Sequence, residues 1–475
     1  MDADQIRRLK SELTRYLKQF EDCFSRVDTA AYLPIYVEGQ LSDLGEKSCE
    51  PMALAAGIPP RNLQEFLARY KWDEDLARDR LQQLVIRDHA GRNRVGVIDE
   101  TSDVKQGDKT PGVKRQWCGT RGKTENCMVT VHLGYARDDF HCLVDGELFL
   151  PEDWAADRER CRAAGIPDEV VYRPKWRIAL DLHDRARRNG LRYDWLTFDE
   201  GYGGKPAFLR ELEAREQLFV GEVPTILTGW TREPQVTDRP FRRGKGRGRK
   251  TPRLLAGGPS AISVKDMLKY SPAVRDQDWV RYHIKEGEKG PLVWEVKHTM
   301  ISVKNEDGLP GMRLHLIVAR NVLDQAEIKF FVSNAPADTS LQTLLLVAFS
   351  RWRVERCFED QKQEVGLDQW EGRSWLGLKR HLILTAISYL FLAKTRERLR
   401  GEKRGGDCFP SPHRHGCVSA ELVAWRSSLG QAHPTYGRRD PALATTHCLG
   451  PDQPHQENTP ETAANRHLSE RPHSL

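Results

Sequence analysis

The stretch Arg94-Val95-Gly96-Val97-Ile98-Asp99-Glu100-Thr101 decides the fold. Upstream of it the apolar residues keep helical spacing, as in Ile6, Leu9, Leu13, Tyr16, Leu17 and Phe20. At Arg94 the pattern changes to a short apolar run closing on a carboxylate, the mark of a buried strand. A second such run, Tyr193–Phe198, closes on Asp199-Glu200-Gly201-Tyr202-Gly203. Between them, Met128–Tyr135 and His141–Leu150 alternate like strands around Arg137-Asp138-Asp139 and predict a hairpin. Lys175–Arg188 and Phe208–Glu216 predict helices packing on the sheet. The middle of the chain is therefore expected to be α/β, a mixed sheet with helices on its faces.

The flanks differ. Residues 1–90 predict helices, with Pro59-Pro60 as a break. From 220 to 339 the strand-like runs are Phe219–Val223, Val293–His298, Met300–Val303, Leu314–Ala319 and Lys329–Ser333, with Pro and Gly between them. Helical period returns at Ser340–Phe358 and Trp375–Leu399. Beyond 400 it stops. Residues 401–475 hold seven of the fifteen histidines and eight of the 26 prolines, a composition that predicts disorder. The expected division is 1–90, 91–219, 220–339, 340–400 and the tail 401–475.

At 475 residues the chain is long enough for several domains with real cores. Its longest apolar stretch, Leu382–Ala393, is too short to span a bilayer and predicts a buried helix, so no membrane partner is expected. The charged N-terminus has no apolar signal segment, which argues against secretion. Ten cysteines without a C-x-x-C pair argue against a disulfide scaffold or zinc ribbon and for reduced thiols in a cytoplasm. Lys plus Arg is 74 against 68 Asp plus Glu, a net +6 that permits nucleic acid without requiring it.

Carboxylates closing two neighbouring strands lie where α/β sheets bind ligands. Two such hard oxygen donors, Asp99 and Asp199, suit Mg²⁺ or Mn²⁺ rather than zinc. The competing reading is that each only caps its turn. Further on, Arg351, Glu355 and Lys362 share one helical stripe at i, i+4 and i+11. A carboxylate between two cations suits a metal site acting on a phosphodiester, and equally suits an exposed helix with ordinary ion pairs.

Four segments, VIDETSDVKQGDKTPGVKRQWCGTRGKTENCMVTV (97–131), LFLPEDW (148–154), LTFDEGYG (196–203) and RWRVERCFEDQKQEVGLDQWEGRSW (351–375), make the chain recognisable. It resembles the DDE transposases of bacterial insertion sequences, in particular the insertion sequence 701-like branch near the Tyr-Arg-Glu-Lys type, over roughly residues 30–400. The resemblance implies an RNase H-like fold with a β-rich insertion between the second Asp and the Glu. Residues 1–90 are expected to be a helical DNA-binding domain that recognises the element ends, because the catalytic block must act at phosphates and has little room to read bases. It implies Asp99, Asp199 and Glu355 as the metal-holding catalytic triad. It puts the signature Arg and Lys on Arg351 and Lys362, while the signature Tyr falls on Ala348, a departure. It implies Mg²⁺, with Mn²⁺ as substitute, and DNA as partner: terminal inverted repeats and target DNA, held by a homodimer. Glu100, Asp103 and Glu200 are competing ligands, although Asp99 and Glu100 cannot both face the metal from a regular strand. Glu359 lies one turn from Glu355.

Weaker candidates for backbone contact are Arg115, Arg121 and Lys123, in a basic, glycine-containing segment that reads equally well as a solvated turn. The run 239–253, eight of whose fifteen residues are Lys or Arg, offers Arg242, Arg243, Lys245 and Arg247 to phosphates, with a solvated loop as the alternative. Trp370 and Trp375 are expected in the core rather than stacked on a base.

Overall fold

The computed structural model describes residues 3–238, 251–287 and 290–404. The basic stretch 239–250, including Arg242, Arg243, Lys245 and Arg247, and the tail from 405 lie outside the described residues.

The centre is one large mixed sheet. Its first strands are β1 (Val95–Val104), β2 (Lys114–Cys118), β3 (Lys123–Arg137) and β4 (Phe140–Leu148), followed by β5 (Trp195–Phe198) and β6 (Phe219–Glu222). β1 pairs antiparallel with β3 and parallel with β5, and β5 pairs parallel with β6. β4 takes the other edge of β3 from Thr130 on, and β2 pairs with the earlier part, 123–127. A three-stranded antiparallel meander continued by two parallel strands, with helices on both faces, fits an RNase H-like fold. The predicted hairpin is present, its turn made by Asp138 in the left-handed region. The helix Lys175–Arg188 has the predicted bounds.

Three expectations are corrected. Asp99 does not end β1, which runs five residues further to Val104, because β3 continues beside it after β5 has stopped opposite Ile98. The segment holding Arg115 is strand rather than loop, with Lys123 opening β3; only 119–122 turns. The helical period of Ser340–Phe358 is split between the helices Leu341–Ala348 and Trp352–Val365.

The strands after β6 are β7 (Thr228–Trp230), β8 (Val236–Thr237), β9 (Arg253–Leu254), β10 (Ile262–Ser263), β11 (Val280–Gly287), β12 (Gly290–Lys304), β13 (Pro310–Asn321) and β14 (Ile328–Ser333). All but the small β8–β9 pair join the same sheet, in the order β10-β7-β12-β13-β14-β6-β5-β1-β3, with β11 also on β12. Two predicted strands, Val293–His298 and Met300–Val303, are one strand, since Thr299 stays in register opposite Leu316.

The N-terminal helices, among them Ala3–Leu17, Tyr32–Leu41, Pro60–Ala68 and Glu74–Asp88, share one apolar core with the long helix Trp375–Arg404. Polar side chains register the contact. Tyr16 donates to the Ile387 carbonyl at 2.8 Å, and Tyr36 meets His381 Nδ1 at 2.8 Å. Buried Gln40 pairs with Thr385 and Ser388. Arg380 donates to the carbonyls of Tyr70 and Trp72. The long helix is apolar enough to cross a bilayer by length and composition, and 83% of that stretch is buried inside the protein. Trp370 is buried and Trp375 packs against the core, as expected.

One glycine sets the approach of the second acidic turn to the sheet. A Cβ on Gly203 would lie 1.9 Å from the Glu222 carbonyl oxygen of β6. Gly203→Ala is therefore expected to push the turn off the strand and destabilise the fold by about 1–3 kcal/mol, read as a lowered urea midpoint. An unchanged midpoint would show that the turn shifts without cost.

Candidate active site

Parallel pairing brings the two aspartates together. Ile98 is opposite Phe198, so Asp99 and Asp199 follow at the same level, where β5 ends and β1 continues. Asp199 opens the one-turn helix Glu200–Gly203. Its Oδ1 accepts from the Gly201 amide at 3.0 Å and the Tyr202 amide at 3.4 Å, so the turn-capping role is real for this oxygen. Its Oδ2 accepts no hydrogen bond among the described residues. Asp99 is buried. Its Oδ1 accepts from the Glu100 amide at 2.8 Å and its Oδ2 from Arg351 Nη1 at 2.9 Å. Burial, then the charge of Asp199, pushes the Asp99 carboxyl up to about 7 against the pull of Arg351. Burial and then Glu100 raise Asp199 too.

The helix Trp352–Val365 brings the third acid. Arg351 stands at its N-terminal boundary, and Arg351 Nη2 lies 2.6 Å from Glu355 Oε1. One guanidinium thus bridges Asp99 and Glu355, whose side chain is 57% exposed. Among the described residues no three His, Cys, Asp or Glu side chains form a ready-made metal cage. The donor set still suits a hard dication. The charge of half-buried Asp199 raises the cost of ionising buried Asp99, a repulsion that a cation between them relieves.

Lys362 is half-buried, and burial pulls its ammonium below the usual range. It reaches the Ser102 carbonyl at 3.4 Å, and the Thr120 hydroxyl donates to the same oxygen at 3.2 Å. The β2–β3 turn is thus pinned beside Lys362, three residues along β1 from Asp99. That hairpin leaves Arg115, Arg121 and Lys123 exposed, with Lys123 paired to Glu125 at 2.8 Å. Trp117 on it is 63% exposed, a surface aromatic that spacing did not single out.

The competing acids differ in their surroundings. Glu100 stays beside Asp199, adding to burial in raising that carboxyl, with its Oε1 on Lys175 Nζ at 2.5 Å and its Oε2 3.5 Å from the Tyr202 hydroxyl. Asp103 pairs with Lys105 at 2.5 Å, and burial pushes it up to about 6. Glu200 is exposed, and Glu359 pairs with Arg356 at 3.0 Å.

Two buried groups that no motif announced hold the Glu355 helix in place. Asp360 accepts from Tyr389 at 3.0 Å and Arg396 at 3.1 Å on the long helix, and pairs with Arg356 at 2.9 Å. Lys47 donates to the carbonyls of Gln40, Ser42 and Glu364, tying the N-terminal helices to the end of the Glu355 helix.

A family model described as DDE superfamily endonuclease matches residues 19–291, more than half of the chain. This chain belongs to the DDE endonuclease superfamily. The match takes in Asp99 and Asp199, while Glu355 lies beyond it. Over 191 residues the chain is also 30% identical to a "Probable transposase for insertion sequence element IS701" of Microchaete diplosiphon. That alignment covers 40% of this chain and 47% of the relative, about half the relative's length. Both findings agree with the sequence resemblance to DDE transposases of the insertion sequence 701 type, and a nuclease or transposase is the DDE chemistry they support.

Proposed function

We propose that the protein is the transposase of a bacterial insertion sequence, which binds the terminal inverted repeats of its element, cuts the DNA there and joins the ends to target DNA. The observation that supports this is the placing of Asp99 and Asp199 one step past the paired Ile98 and Phe198 of β1 and β5, with Arg351 reaching both Asp99 and Glu355. Asp99, Asp199 and Glu355 would hold the metal, Mg²⁺ with Mn²⁺ as substitute. Bound there, the metal supplies activation of the attacking oxygen and neutralisation of charge on the leaving one.

The chain's own residues do the rest. Asp99, buried, and Asp199, half-buried, present their carboxylates from the sheet to the reacting phosphate. Arg351, on a guanidinium that matches phosphate as well as carboxylate, orients the cut strand. Lys362 supplies a second positive charge along β1. The exposed Arg115, Arg121 and Lys123 hold flanking backbone, and the 239–253 run adds phosphate contacts through Arg242, Arg243, Lys245 and Arg247.

In this reading residues 1–90 recognise the element ends, 91–219 and 340–400 form the catalytic core, and 220–339 is a β-rich insertion. A homodimer synapses two ends at the nucleoid, in the cytoplasm. The Lys47 staple gives the N-terminal helices a mechanical link to the Glu355 helix.

The test is incubation of a labelled inverted-repeat end and a target plasmid with Mg²⁺. Nicking at the end followed by strand joining is the expected result. Cutting without joining would make the protein a stand-alone nuclease. Binding without cutting would make it a repressor descended from a transposase.

A further inference from the structure

Arg351 occupies the carboxylate oxygens on which the chemistry depends. Nη1 takes Asp99 Oδ2 at 2.9 Å and Nη2 takes Glu355 Oε1 at 2.6 Å. Its side chain is only 20% exposed, and Asp199 and Glu222 add to the negative surroundings. Glu222 itself is paired with Lys329 at 3.0 Å, so Asp99 and Glu355 are the direct partners.

A guanidinium and a dication cannot share two carboxylates without strong repulsion at such distances. A phosphate, by contrast, competes with a carboxylate for the guanidinium fork, since both present two oxygens in one plane. The residue is also placed to exchange partners. It stands at the break between the helices Leu341–Ala348 and Trp352–Val365, where its side chain can turn without unwinding either.

We propose that Arg351 gates the acid site, holding Asp99 and Glu355 until a DNA phosphate takes the guanidinium, so that metal and DNA bind cooperatively. The inference rests on the reading of Asp99, Asp199 and Glu355 as the metal-holding acids. Its consequence is a nuclease that loads its metal on engaged DNA and poorly in free solution. Linkage makes the coupling reciprocal: whatever factor DNA adds to metal affinity, metal adds to DNA affinity.

The test measures Mn²⁺ binding to the full chain by electron paramagnetic resonance of the free ion. It is run with and without a mixed-sequence duplex carrying a pre-cut 3′-hydroxyl end, at low salt. The wild type is expected to bind Mn²⁺ about ten-fold or more tightly with the duplex than without it. Without DNA, Arg351→Ala is expected to bind Mn²⁺ about ten-fold more tightly than the wild type, and the gain from DNA is expected to shrink. Arg351→Lys keeps the charge but loses the fork, and should fall between them. Circular dichroism checks that each variant is folded; if the alanine variant is not, the lysine variant carries the comparison. Variants that bind Mn²⁺ no more tightly than the wild type without DNA, or that keep the full gain from DNA, overturn the gate. Asp99→Asn separates the two levels. It should lose Mn²⁺ binding under both conditions. If it binds like the wild type, the acids do not hold the metal, and the parent reading falls together with the gate.

Discussion

Asp99→Asn, Asp199→Asn and Glu355→Gln are each expected to cut a labelled element end at least ~1000-fold more slowly than the wild type, while folding and DNA binding persist. The amides keep shape and remove a charge and a hard metal oxygen. Partners one shell further out already cost 10–100-fold when lost in metal enzymes, so the ligands themselves should cost more. DNA binding measured in Ca²⁺ should hold or tighten, because each amide removes a negative charge that repels phosphate. The neighbours are the controls. Glu100→Gln loses a partner of Lys175, Asp103→Asn a partner of Lys105, and Glu359→Gln a surface pair with Arg356. Each should be milder than the residue beside it. Lys362→Ala should slow cutting by roughly 10–1000-fold without rescue by more Mg²⁺, since it acts on the strand. If Glu355→Gln cut at the wild-type rate and Glu359→Gln did not, the register of the helix would be wrong, and with it the roles given to Arg351 and Lys362.

A comparably large effect is expected of acid. Burial lowers His132 to about 3, and His141, His183 and His381 to about 4. Asp360 beside His141 and Asp184 beside His183 pull the other way without prevailing. An unfolded chain protonates these rings near the ordinary histidine value, whereas the folded chain refuses the proton. Stability is therefore fully present above that value and is lost as pH falls from about 6.5 towards 4. Each such ring costs about 2 kcal/mol by pH 5, so the four together rival the whole stability of an ordinary domain. Asp99, raised to about 7, works in the opposite sense. Its folded form prefers the proton, so its contribution is present at low pH and lost as pH rises through about 7. Asp103, raised to about 6, and Asp199, also raised, act the same way, so the acids offset part of what the four rings lose. Urea unfolding at pH 7.5 and pH 5 should show a steep loss, reduced by about one proton's slope in His183→Gln. A protein equally stable at both values would mean that these rings take up protons in the folded state.

How much of this was legible in the sequence follows from what is local. The runs ending at Asp99 and Asp199 are short and apolar, and their carboxylates stand out because so few charges interrupt them. The helix Lys175–Arg188 and the hairpin around Asp138 are likewise set by neighbouring residues. The stripe Arg351, Glu355, Lys362 is visible because helical spacing is a property of the chain itself. Together with motif order these were enough to place the chain in its family.

What the sequence could not show is anything that depends on which strands become neighbours. β1 outlasts its apolar run because β3 keeps pairing with its polar end, and pairing partners lie some thirty positions away. The strands of 220–339 extend the central sheet because β14 meets β6 over a separation of about a hundred residues. The Asp360 cluster and the Lys47 staple carry no motif, since any buried acid or amine looks the same until its partners are in place. Spacing alone put Arg351 and Glu355 on one stripe. Only tertiary structure adds Asp99 to that pair, because the second carboxylate oxygen on Arg351 comes from a strand 252 positions earlier, delivered by the packing of a helix on a sheet.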